Sequence, residues 1–109
     1  MRGLAVCLGF GVTMLGVPAY AADQIINLPE CQALSVDELH ELAEYALTKR
    51  RYNIEENTPT LLVGEQDNLR VEFVLEPQRI TIRWKEGFAA TKDQWLRNLK
   101  TDVLWRLAE

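Results

Sequence analysis

Nucleophiles and metal ligands are scarce in this chain of 109 residues, which has one histidine (His40), one serine (Ser35) and two cysteines, Cys7 and Cys31. Nucleophilic catalysis needs a nucleophile, a base and an orienting group brought together. Ser35 stands at the head of a helical pattern, where it serves as a cap, and nothing marks an orienting third group for a Cys31–His40 pair. Metal sites take three or four ligands of histidine, cysteine or carboxylate type. The acids Asp37, Glu41 and Glu44 sit at rigid helical spacing, unlike a loop that wraps a cation. Glycine-rich phosphate loops are missing as well. No catalytic residue, metal or cofactor is therefore assigned, and an enzyme is not expected.

Positive charge is the minority sign, with 12 Lys and Arg against 16 Asp and Glu, a net charge of −4. Nucleic acid and anionic membranes attract the opposite sign, so neither is an expected partner. The longest uncharged apolar run, from Leu4 to Val17, falls short of the ~20 residues that a bilayer span requires. Arg2 precedes that run, Pro18 ends it, and Ala19 and Ala21 supply the small residues read by a signal peptidase. This layout predicts a signal peptide over 1–21 and one small domain over 22–109, delivered to the periplasm or secreted. With Cys7 in the leader, Cys31 is expected either to pack as a thiol or to form an intermolecular disulfide that links a dimer.

Hydrophobic periodicity supplies the elements. Ser35 lies three residues before Glu38, the spacing of a reciprocal helix cap. Val36, Leu39, Leu42, Ala43, Ala46 and Leu47 then share one helical sector. His40 lies at the edge of that sector, with Glu44 one turn on. The run Lys49-Arg50-Arg51 falls where the pattern stops, so it is expected to end the helix, where the dipole favours cations. Residues 52–66 suggest one extended segment interrupted near Pro59. Leu69, Val71, Phe73 and Leu75 alternate with Arg70, Glu72 and Glu76, and only Val74 breaks the alternation. Ile80, Ile82 and Trp84 alternate with Thr81, Arg83 and Lys85 beyond a turn at Pro77-Gln78. Glu72 and Glu76 can then face Arg79, Arg83 or Lys85 across the two strands. Thr91 and Gln94 offer a second capping box into a helix whose Trp95, Leu96, Leu99, Val103 and Leu107 share a sector. The expected fold is α+β, in the order α-β-β-β-α, with both helices on one face of a three-stranded antiparallel sheet.

The pattern Ala46-Leu47, Arg51-Tyr52 and Trp95, Asn98, Leu99 resembles a group of small exported bacterial proteins, many of them lipoproteins. The resemblance covers about 60 residues, most of the predicted domain. It implies export and the same helix, three strands and helix, and it transfers no catalytic residue, because that group carries no assigned activity. This chain departs from the group in lacking a lipobox and in its short loop before the last helix.

Trp105 projects away from the sector of the last helix that should face the sheet, on the side of Arg97, Asn98 and Thr101. An exposed tryptophan is a frequent anchor in protein interfaces. The expected function is a non-enzymatic interaction module of the bacterial envelope, with Trp105, Arg97 and Thr101 as candidate contacts for an envelope protein. The alternative is a binder of a small apolar or envelope-derived ligand in a space lined by Phe73, Trp84 and Trp95.

Overall fold

The computed structural model describes residues 23–87 and 90–108, so the signal-peptide assignment to residues 1–21 lies outside the described residues. The fold is α+β. In chain order it runs β1 (Gln24–Asn27), a 3-10 turn (Glu30–Gln32), α1 (Val36–Lys49), β2 (Asn53–Thr58), β3 (Leu61–Gln66), β4 (Leu69–Glu76), β5 (Arg79–Glu86) and α2 (Lys92–Leu107). Among the described residues the sheet has five strands, not three, in the order β1-β5-β4-β3-β2, with every neighbouring pair antiparallel.

Both extra strands have a physical origin. Pro59 does not bend one long strand: with Thr60 it forms the turn of a hairpin, where its missing N–H is no handicap. The Thr58 hydroxyl closes that turn by donating to the Leu61 carbonyl at 3.3 Å. Residues 53–66 therefore fold back on themselves, with Asn57 opposite Leu62 and Ile54 opposite Gly64. The other addition, β1, has only four residues, too few for period-2 patterning to stand out. It pairs with β5, placing Ile26 opposite Ile80 and inside the core. Asp67 and Asn68 both adopt positive φ (54° and 67°) in the turn joining β3 to β4, a conformation these residues tolerate better than most.

Alternation then sorts the sheet into two faces. On one, Leu62, Phe73 and Ile82 lie side by side across β3, β4 and β5, flanked by the row of Leu75, Ile80 and Ile26. All six are buried. Over this face, α1 lies against β2, β3 and β4 while α2 lies against β5 and β1. Opposite, β1 to β2 present Ile25, Thr81, Val74, Leu61 and Thr58 in one row, none of them buried. Val74 is thus an open-face residue, which explains why it broke the apolar side of the alternation. The expected cross-strand pairs also form, Arg83 with Glu72 at 2.7 Å and Arg79 with Glu76 at 3.6 Å.

Helix ends follow local chemistry. The Ser35 hydroxyl accepts from the Glu38 amide at 3.1 Å, and the Glu38 carboxylate accepts from the Ser35 amide at 2.9 Å. The second capping box does not form. Thr91 has φ −109° and ψ 32°, so its side chain is not aimed at the first turn, and its carbonyl takes the Gln94 amide instead. The carboxamide of Gln94 donates to Asn98 one turn on.

Candidate functional site

The basic run after α1 builds the first part of the site. Arg51 takes φ 67°, letting its amide donate to the Thr48 carbonyl and the Tyr52 amide to the Leu47 carbonyl, both at 3.0 Å. These are the two bonds of a Schellman ending, here with arginine where glycine is usual. Gln66 at the end of β3 adds a third tie, donating to the carbonyls of Arg50 at 2.8 Å and Arg51 at 3.4 Å. The helix approaches β3 closely because residue 64 is glycine. A Cβ there would lie 2.7 Å from Leu47 Cδ2 and 3.1 Å from Tyr52 Cβ, too near for either to remain.

A second fixture joins the helices. The Arg50 guanidinium donates through Nε to Asp102 Oδ2 at 2.6 Å and through Nη2 to Oδ1 at 3.1 Å. Lys49 Nζ lies 3.5 Å from the same carboxylate, whose side chain is only 3% exposed. A buried carboxylate without such partners would be strongly destabilising. The hydrogen bonds to Asp102 are also the main reason the Arg50 pKa is raised. Nearby, Arg106 of α2 stacks over the Tyr45 ring at 4.8 Å, and Lys49 lies 5.9 Å from it. Tyr45 with Arg106 and Arg50 with Asp102 pair later residues of α1 with earlier ones of α2, so the helices run antiparallel.

Beyond that fixture the helices leave a cleft of about 290 Å³, lined by Arg50, Tyr52, Gln66, Trp95, Asn98 and Leu99. Tyr52 and Trp95 meet edge-on, with centroids 6.2 Å apart at 85°, and Trp95 meets Trp84 likewise at 6.0 Å and 79°. Burial raises the Tyr52 pKa from 10.0 to about 12, outweighing the Arg50 charge that acts the other way. The space expected between Phe73, Trp84 and Trp95 is therefore misplaced. Phe73 is completely buried at the centre of the sheet, Trp84 donates its indole N–H to the Gly87 carbonyl at 2.8 Å, and Trp95 alone of the three lines the cleft.

The remaining expected residues fall in three separate places. Trp105 is 68% exposed, and Arg97 and Thr101 are exposed on the same side of α2. Cys31 is exposed in the 3-10 turn. His40 does not rest on Glu44: its Nε2 lies 2.6 Å from Asn57 Oδ1, and the Asn57 amide donates to Glu44 Oε2 at 3.5 Å. Among the described residues, no three of histidine, cysteine, aspartate and glutamate assemble as a metal set, and no helix is long and apolar enough to cross a membrane. Sequence patterning does not point to Gln66 or Asn57, and Asp102 is likewise absent from the expected site. The signal for Asp102 was present, since it follows Leu99 by three positions and adjoins Val103 on the buried side of α2. No family model matches the chain, and neither does any curated protein or solved structure.

Proposed function

We propose that this chain is an exported interaction module that docks onto another protein of the bacterial envelope through the outer side of α2. The observation that supports the reading is Trp105. With Ile25, it is one of the two large apolar side chains exposed among the described residues, and it is much the more exposed of them. Leaving an indole in water forgoes the ~25 cal/mol per Å² that burial would return. The partner's chemistry follows from the charges around it. Arg97, two turns before it on the same side of α2, is exposed in a chain that is acidic overall, and one of the helix's two acids, Asp102, is buried. An apolar pocket with an acidic rim complements that surface.

The test is a photo-crosslinking residue placed at Thr101 in the producing cell. A single adduct is expected, and Trp105→Ala should abolish it while shifting stability by less than ~0.5 kcal/mol, the usual effect of a surface change. An adduct that persists undiminished in Trp105→Ala would remove the tryptophan from the interface.

A further inference from the structure

We propose that the cleft between the end of α1 and the first half of α2 binds a single uncharged saccharide ring, held by Gln66, Asn98 and the Tyr52 hydroxyl against the Trp95 indole. This site is separate from the outer side of α2 that carries Trp105.

Among the described residues Arg50 is the one cation lining the cleft, and two of its N–H groups are committed to Asp102, on which Lys49 also converges at 3.5 Å. An anionic ligand must therefore compete with that carboxylate for the guanidinium. Among the described residues no carboxylate lines the cleft, so a cation gains nothing there either. An entirely apolar ligand fits the aromatic wall but strands the two carboxamides, and a buried polar group left unpaired weakens binding. What suits the site is a neutral molecule with one apolar face and several hydroxyls.

The hydrogen-bonding groups are complementary to hydroxyls. Gln66 spends its Nε2 on the Arg50 and Arg51 carbonyls, which leaves Oε1 as an acceptor. Asn98 receives the Gln94 amide on Oδ1 at 2.9 Å, which leaves Nδ2 as a donor. The Tyr52 hydroxyl can do either. Sugar hydroxyls both donate and accept, and the C–H face of a pyranose can lie along the indole. Size agrees: about 290 Å³ is at the lower edge of the roughly 300–1,000 Å³ typical of small-molecule sites. One ring fits, and an extended oligosaccharide does not fit inside.

The experiment is a 1H–15N correlation titration of the full chain with N-acetyl-D-glucosamine and D-glucose as probes, with sodium acetate as an anion control. The expected result is saturable shifts at the Trp95 indole N–H and the Asn98 and Gln66 carboxamides with either sugar. A one-ring ligand should show a dissociation constant on the order of 1 mM. Asn98→Leu replaces a weak helix former with a good one and removes the carboxamide, so its spectrum should stay folded while affinity falls by about tenfold or more. Three results would overturn the proposal: no saturable shift at those signals with either sugar, acetate acting on the same signals more strongly than the sugars, or unchanged sugar affinity in Asn98→Leu.

Discussion

The two faces of the sheet share five backbones and almost nothing else. On the helix-covered face Leu62, Val71, Phe73, Leu75, Ile80 and Ile82 are all but inaccessible, and adjacent strands contribute apolar partners to one another. On the open face the same strands set one buried aliphatic, Val63, and the half-buried Leu61 and Val74 among Arg83, Glu72, Arg70 and Glu55 in paired contacts. The difference shows which face holds the fold together. Burial contributes in proportion to area removed from water, whereas exposed ion pairs are largely offset by hydration. The open face sets register, and the covered face supplies stability.

Adjacent positions on β4 give the sharpest contrast. Phe73→Ala should cost about 3–5 kcal/mol, the range for emptying a buried aromatic site. Val74→Ala, one residue along but on the other face, should cost less than about 1 kcal/mol. Urea denaturation of both variants measures the gap. Comparable losses would mean that the open face is packed as tightly as the covered one.

Alkaline pH acts on the covered side through Tyr52. Burial favours the neutral phenol in the folded state, raising its pKa from 10.0 to about 12. Its contribution is therefore intact below pH 10 and declines as pH rises toward 12, with a total on the order of 2 kcal/mol. Tyr52→Phe cannot ionise there, so the gap between parent and variant should change in favour of the variant across that window. Parallel stability curves for the two proteins would show that the hydroxyl is well hydrated in the folded state.

Much of this architecture was legible in the sequence, and the omissions share one cause. Both long helices, the hairpin at Pro77-Gln78 and the alternation of β4 and β5 follow from periodicities sustained over eight or more residues. The missed strands are short: β1 has four residues, and β2 is exposed at every position but Ile54. Edge strands need only one inward residue, so pairing partners define them and periodicity does not. The site was less legible because its members come from three separate parts of the chain, the link after α1, β3 and α2. Nothing local to Tyr52, Gln66, Trp95 or Asn98 says that they meet. Trp105 was readable because helical geometry alone sets its direction.

The smallest effect concerns two ion pairs of like chemistry in different surroundings. Arg50 grips both oxygens of Asp102, whose side chain is 3% exposed. Arg83 reaches a single oxygen of Glu72 through Nε at 3.0 Å and Nη2 at 2.7 Å, on the open face. A double-mutant cycle on Glu72 and Arg83 should give a coupling of about 0.2–1 kcal/mol. Added salt should reduce it, because water reaches the pair. The Arg50–Asp102 cycle should give more and respond less to salt, since its carboxylate cannot be rehydrated without opening the helix contact. Equal couplings with equal salt dependence would dissolve the distinction between a pair that sets register and one that joins two helices.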